Sequence, residues 1–164
     1  MATLKNNELG YLGNPNVKRD GVQEAWSQEQ VVEYTRCLRD PVYFATTYLK
    51  VVHLDHGLVP FALYPYQEKM FNHFNDNRFS IVLACRQSGK SISSVGYLLW
   101  YALFHPEQTI AILANKGATA REMLARITLM LENLPFFLQP GCKALNKGSI
   151  EFSNNSKIVS CKPI

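Results

Sequence analysis

The chain has 164 residues, 47% of them hydrophobic and 18% charged, which is enough to bury one core and excludes a low-complexity or wholly disordered chain. The formal charge of +4 and pI of 8.9 suit a partner that carries phosphates without identifying one. Cys37, Cys85, Cys142 and Cys161 have no CxxC or other metal spacing, the polar start is no signal peptide, and no apolar run approaches the roughly 18 residues of a membrane span, so the expectation is a soluble intracellular protein with reduced thiols.

Residues 1–25 contain Gly10, Gly13, Gly21, Pro15 and several Asn with little apolar periodicity, which predicts an extended or disordered arm. Lys18 and Arg19 within it read first as solvated surface and only second as a nucleic-acid contact. Ser27-Gln28-Glu29-Gln30 has the spacing of a capping box, so a helix starts near Gln28, carries Val31, Tyr34, Thr35 and Leu38 on one stripe, and ends before Pro41. Asp40-Pro41 restarts a helix, with Asp as cap and Pro in the first turn, bearing Val42, Phe44, Ala45 and Tyr48. His53, Asp55 and His56 are ligand-type residues, but H-x-D-H matches no zinc signature and Gly57 follows as a turn residue. A loop or hairpin is therefore the reading, with a metal site as the alternative.

A third helix begins at Pro65 with Met70, Phe71 and Phe74 on its buried side. Tyr66 and Gln67 lie just upstream of the next apolar run. They are residue types that can stack on an adenine and hydrogen-bond its edge, although an ordinary helix start uses the same residues.

The central stretch is Ala84-Cys85-Arg86-Gln87-Ser88-Gly89-Lys90-Ser91, entered from the apolar run Phe79-Ser80-Ile81-Val82-Leu83 and followed by an apolar segment over 92–104. Binding a triphosphate requires a loop with inward-pointing N–H groups, a Lys that reaches the outer phosphates and a Ser or Thr hydroxyl for Mg²⁺. Gly89, Lys90 and Ser91 supply the end of that pattern, and a strand before and helix after would add the positive end of the helix dipole. Ala84 departs from the first Gly of the usual loop.

The helix after the loop is apolar on several sides, through Ile92, Val95, Leu98, Leu99, Trp100, Ala102 and Leu103, and is expected to be buried against a sheet until His105-Pro106 stops it. Thr109-Ile110-Ala111-Ile112-Leu113-Ala114 predicts a second buried strand, parallel to the one entering the loop and joined to it by a right-handed crossover. Asn115-Lys116-Gly117 is then a loop at a carboxyl strand end, where open α/β sheets place ligands. Thr119-Ala120-Arg121-Glu122 resembles another capping box, and Ala120, Met123, Leu124, Ile127 and Leu131 carry a helix to about Asn133, with Arg121 and Arg126 off the stripe and read first as a solvated face and second as a DNA-backbone contact. Gln139-Pro140-Gly141 predicts a turn. Ser149 to Ser153 and Lys157 to Cys161 alternate around Asn154-Asn155-Ser156, which predicts a β-hairpin. No apolar run ends in the acidic residue that a hydrolysing ATPase uses for Mg²⁺ and water, since Glu151 alternates inside the hairpin and Asp76 precedes the loop strand.

Residues 11–156 resemble the start of the ATPase domain of the large terminase subunit, the DNA-packaging motor of tailed bacteriophages, and look most like its T4-like group. The likeness is carried by Gly13-Asn14-Pro15-Asn16-Val17-Lys18-Arg19, Leu38-Arg39-Asp40-Pro41-Val42-Tyr43-Phe44-Ala45, Tyr66-Gln67, Cys85-Arg86-Gln87-Ser88-Gly89-Lys90-Ser91, Ile112-Leu113-Ala114-Asn115-Lys116-Gly117 and Leu134-Pro135-Phe136-Phe137-Leu138-Gln139-Pro140-Gly141, and by the later Asn146-Lys147-Gly148-Ser149-Ile150-Glu151. The resemblance implies an α/β P-loop NTPase core of the ASCE type, a parallel sheet flanked by helices and incomplete at the C-terminus. In that scheme 1–25 are an arm, 26–78 a helical lead-in and 79–164 the nucleotide-binding core, with the family's nuclease domain absent.

The resemblance further implies that Arg86, Gln87, Ser88, Gly89, Lys90 and Ser91 hold ATP, that Ser91 binds Mg²⁺, and that Tyr66 and Gln67 form the adenine pocket. Arg86 and Lys90 would be catalytic, with Arg86 a finger toward the γ-phosphate. The implied partners are double-stranded viral DNA, a portal protein, a small terminase subunit and further copies in a ring, at the prohead portal in the host cytoplasm. Because the family's acidic strand and catalytic Glu have no counterpart here, the expectation is a chain that binds ATP and is inactive, or nearly so, alone. Two alternatives stand beside it: a helicase-type P-loop motor, and a non-catalytic interaction fragment whose half-finished sheet pairs with another polypeptide.

Overall fold

The computed structural model describes residues 10–53 and 55–161. Among them are five α-helices, and none is long and apolar enough to cross a membrane. The molecule is mixed α/β, with a group of helices in front of a four-stranded sheet.

Of the two forms expected for the arm, residues 10–18 take the extended one. Strands β1 (Gly10–Tyr11) and β2 (Asn14–Lys18) form an antiparallel hairpin, and Arg19 bridges in parallel to Cys142. Residues 10–19 are therefore docked and not disordered; residues 1–9 lie outside the described residues. Val17 is 1% exposed and Lys18 6%, with Lys18 Nζ donating to Glu24 Oε2 at 3.0 Å, so Lys18 is not the solvated cation that its neighbours in sequence suggest. The cause is tertiary. Gln139 Oε1 accepts the Lys18 amide at 2.9 Å, and Gln139 Nε2 donates to the carbonyl oxygens of Asn16, Leu131 and Leu134.

Helix α1 (Gln28–Arg39) starts at the expected capping box, with the Ser27 and Gln30 side chains each accepting the other residue's amide. Asp40 closes α1 and caps α2 (Pro41–Tyr48), its Oδ1 accepting the Tyr43 amide at 2.9 Å. Strands β3 (Lys50–His53) and β4 (Gly57–Pro60) make the expected hairpin, and α3 (Pro65–Asp76) follows.

Helix α4 (Lys90–Phe104) is buried on several sides, as its composition predicts, but its main neighbours are helices α2 and α3 and the later helix over 117–132, not a sheet. Trp100 Nε1 donates to the Cys37 carbonyl at 2.8 Å, and Phe104 meets Phe44 edge-on with ring centroids 5.3 Å apart. A Cβ on Gly96 would stand 3.1 Å from Leu49 Cδ1, so this helix comes as close to the α2 end as a glycine permits.

The run over 79–83 corrects a second expectation. It is not a strand and has no ladder partner among the described residues; Phe79 is 80% exposed, Ile81 96% and Leu83 100%. The βαβ unit through the phosphate loop is therefore not formed. The sheet order is β5-β8-β7-β6, with β5 (Thr109–Leu113), β6 (Cys142–Leu145), β7 (Ser149–Phe152) and β8 (Lys157–Cys161). Its one parallel pair is β5 with β8, in register Ile110↔Ile158, and the other neighbours are antiparallel. The outer edge of β5 is unpaired among the described residues, and only Ile112 of that strand is buried. A strand needs a neighbour on its ladder to satisfy its main chain. With none beside it, the 79–83 backbone stays irregular and its side chains stay in water.

Helix α5 (Gly117–Glu132) starts at Gly117 with Lys116 as its first cap residue, so Thr119 lies inside the first turn and the second capping box does not form. It packs against β8 and β5, and its buried Leu124, Ile127 and Leu131 share one core with the sheet residues Ile150, Phe152 and Ile158. A 3₁₀ turn over Phe136–Leu138 follows. The turn of the β7–β8 hairpin reaches back to the end of α4. Asn154 Nδ2 donates to the Ala102 and Leu103 carbonyls, Ser156 Oγ donates to the His105 carbonyl at 2.7 Å, and Ser156 Oγ accepts the Gln108 amide.

Candidate nucleotide-binding site

The loop over 84–91 opens α4. Its backbone takes left-handed values at Gln87 (φ 63°) and Gly89 (φ 74°), with Gly89 the cap residue of the helix. Only glycine adopts that conformation without steric cost, which accounts for Gly89; Gln87 carries the cost. Alternation of left- and right-handed residues curves successive N–H groups toward one point, the backbone concavity that binds anions. The first amides of α4, at Lys90, Ser91 and Ile92, have no acceptor within the helix and carry the positive end of its dipole.

Several side chains close the loop. Ser88 Oγ donates to the Cys85 carbonyl at 2.9 Å, and Lys90 Nζ donates to the same oxygen at 3.0 Å. The ammonium thus folds back across the turn, and a phosphate oxygen would replace a neutral carbonyl by a charge-assisted partner, the stronger hydrogen bond. Ser91 is half-buried in the first turn of α4, beside those free amides. Arg86 and Gln87 are exposed, and Arg86 has no ion-pair partner among the described residues. The donor set fits a triphosphate: an ammonium, a hydroxyl, a guanidinium and aligned amides, with no carboxylate hydrogen-bonded to the loop among the described residues.

Tyr66 and Gln67 are brought to the loop, though not as an open base pocket. Tyr66 Oη donates to the Ser88 carbonyl at 2.5 Å, and its ring stacks on Tyr64 with centroids 5.7 Å apart and planes 8° apart. Gln67 is 2% exposed, with Oε1 accepting the Tyr64 amide at 2.9 Å and Nε2 donating to Ser93 Oγ at 2.9 Å. Ser93 was not singled out in the sequence; the hint available was its place one helical turn after Gly89.

Lys116 lies beyond the carboxyl end of β5, as expected, but as the N-cap residue of α5 and not in a loop ahead of a Thr119 cap. His53 and Asp55 lie in the β3–β4 hairpin with His53 Nδ1 4.0 Å from Asp55 Oδ2, and the His53 and His56 rings stack at 4.9 Å; among the described residues no group of three or more His, Cys, Asp or Glu gathers to hold a metal. A groove of about 700 Å³ lies between α5 and the end of β6, lined by Arg121, Leu124, Leu129, Glu132 and Leu145, with none of the phosphate-loop residues on its walls. Cys85, Arg86 and Gln87 of the loop are exposed, as is the 79–83 run before it. No protein-family model matches the chain.

Proposed function

We propose that this chain is the ATP-binding part of a terminase-like P-loop motor. The reading rests on one observation above the others: Lys90 and Ser91 follow a left-handed Gly89 at the N-terminus of a buried helix, where free amides, helix dipole and ammonium converge. Lys90 would bind the outer phosphates, Ser91 would hold Mg²⁺, and Mg²⁺ would neutralise phosphate charge. Arg86, exposed beside the loop, would stabilise charge developing at the γ-phosphate. The half-exposed Tyr66–Tyr64 stack offers a flat face to a base. The activity of the whole motor, driving double-stranded viral DNA into a prohead with a portal protein, a small terminase subunit and a ring of copies as partners, belongs to the same proposal and rests on the resemblance of the motifs. So does its place at the portal in the host cytoplasm. This chain alone would bind ATP and turn it over slowly at most.

Titration calorimetry with Mg²⁺-ATP tests it. Saturable binding by the chain that disappears in Lys90→Ala supports the site; no binding by a folded wild-type chain sinks it. A second reading is favoured by the exposed 79–83 run and the unpaired edge of β5: a non-catalytic fragment that joins another polypeptide through its sheet. A folded chain that ignores Mg²⁺-ATP yet associates with concentration would favour that reading.

A further inference from the structure

Two consecutive residues of the first turn of α3 hold two consecutive carbonyl oxygens of the phosphate loop. Tyr66 Oη donates directly to the Ser88 carbonyl. Gln67 reaches the Gly89 carbonyl through one intermediary: Gln67 Nε2 donates to Ser93 Oγ at 2.9 Å, and Ser93 Oγ donates to the Gly89 carbonyl at 3.1 Å. Gln67 is 2% exposed and Ser93 0%, so the relay is shielded from competing water. The other end of the Gln67 amide is tied down as well, since its Oε1 accepts the Tyr64 amide that opens α3. The fit is tight, because a Cβ on Gly89 would stand 2.7 Å from Gln67 Nε2.

Planarity of the peptide gives these contacts a consequence. Fixing a carbonyl oxygen on one side of a trans peptide fixes the N–H of the next residue on the other side. The Tyr66 bond to Ser88 therefore aims the Gly89 amide, and the Gln67–Ser93 relay, added to the helical bond from the Ser93 amide to the same Gly89 oxygen at 3.0 Å, helps to aim the Lys90 amide. Both amides belong to the anion concavity.

We infer that Gln67 and Ser93 are positioning residues for the triphosphate, acting through the Gly89–Lys90 peptide and not on the nucleotide base. The inference rests on the reading of the loop as a nucleotide site and changes what Gln67 does there. An amide whose oxygen caps α3 and whose nitrogen holds Ser93 is committed to the loop. A base reader would need its polar end turned outward.

The test uses a ligand without a base. Mg²⁺-tripolyphosphate, Mg²⁺-ATP and Mg²⁺-GTP are titrated into the wild-type chain, Ser93→Ala, Gln67→Met and the double variant, each first shown folded by circular dichroism and its melting midpoint. The expected result is that either single variant weakens tripolyphosphate and ATP by the same factor, roughly three- to tenfold for one hydrogen-bonded relay. The ATP-to-GTP ratio should stay at its wild-type value, and the double variant should be no weaker than the weaker single one. Ser93→Ala carries the test if Gln67→Met does not fold. Loss of ATP binding with tripolyphosphate binding intact, or a fall in the ATP-to-GTP ratio, overturns the inference, as does wild-type affinity in Ser93→Ala. Failure of the wild-type chain to bind either phosphate ligand is a different result, and rejects the nucleotide site itself together with the inference.

Discussion

Gln139 Oε1 accepts the main-chain amide of Lys18 across 2.9 Å, joining residues 121 apart in the chain. The same side chain serves the carbonyls of Leu131 and Leu134, so one buried amide both finishes helix α5 and fastens the amino-terminal hairpin to the body of the protein. Replacing it with Gln139→Leu removes the side-chain partner of four main-chain groups, of which the Leu131 carbonyl keeps another, the Leu134 amide. The expected cost is about 1–3 kcal/mol, read from the urea midpoint, together with faster hydrogen exchange at the Lys18 amide. An unchanged Lys18 amide would mean that the other contacts, the buried Val17 and the Arg19–Cys142 bridge among them, hold the hairpin without Gln139.

Acid sensitivity should centre on Glu33. The Tyr43 hydroxyl, 2.7 Å from Glu33 Oε1, holds this carboxyl below its ordinary value of 4.5 against the opposing effect of burial, with smaller contributions in the same direction from Tyr48 and Arg36. A carboxyl whose folded value is lowered binds protons less readily than in the unfolded chain. Its contribution is complete above about pH 4.5 and is lost as pH falls through the folded value. The urea midpoint of the wild-type chain should drop on acidification below that point more steeply than that of Glu33→Gln. Parallel pH profiles for the two proteins would remove Glu33 from the account.

At the alkaline end the sign reverses. Burial pushes the Cys37 thiol up to about 12 and the Cys142 thiol up to about 11, from an ordinary value of 9.0, and pushes Tyr97 up to about 12 from 10.0. These groups stay protonated in the fold while the unfolded chain releases its protons. Stability should therefore be complete below pH 9 and decline as pH rises from there toward 12. Chemical denaturation at pH 8 and pH 10.5 checks this, and Cys142→Ala should show a shallower decline than the wild-type chain.

The uncovered run before the phosphate loop has a cost in solubility. Ile81 and Leu83 stand almost wholly in water, and the outer strand β5 carries Leu113 at 67% exposure. Apolar side chains beside an unpaired sheet edge drive association. The double variant Ile81→Ser, Leu83→Ser should lower concentration-dependent association in sedimentation velocity while leaving the melting midpoint within about 1 °C, because neither side chain is buried in the monomer. A lowered midpoint would show that the run is buried in solution.

Local chemistry in this chain was legible from the sequence. Ser27 with Gln30, Asp40 before Pro41, and the Asn154-Asn155-Ser156 turn each act within four residues, and each is where its residue type predicts. A helix also opens after Gly89, as read. Partnership across the chain was not legible. An apolar run such as 79–83 signals that burial is available, not what will cover it, and here nothing among the described residues does. Strand β6 carries Cys142, Lys143 and Ala144 with no alternation to announce it, and depends on β7 for its ladder. Gln139 and the Gln67–Ser93 pair are polar residues whose value lies wholly in partners 26 or more residues away, or in main-chain groups a sequence does not display.

The brace that Asn154 and Ser156 place on the end of α4 also orders events in time. Helix α4 carries the phosphate loop at its start, yet its last carbonyls find their partners 51 and 52 residues further along, in the turn of a hairpin. Closing so long a span costs chain entropy before any contact returns it, so these bonds form late relative to the turns of the helix itself. During synthesis the loop residues are all present long before the residues that finish their helix. A chain arrested ahead of Ser156 would hold every group proposed to bind phosphate on a helix that frays from its far end.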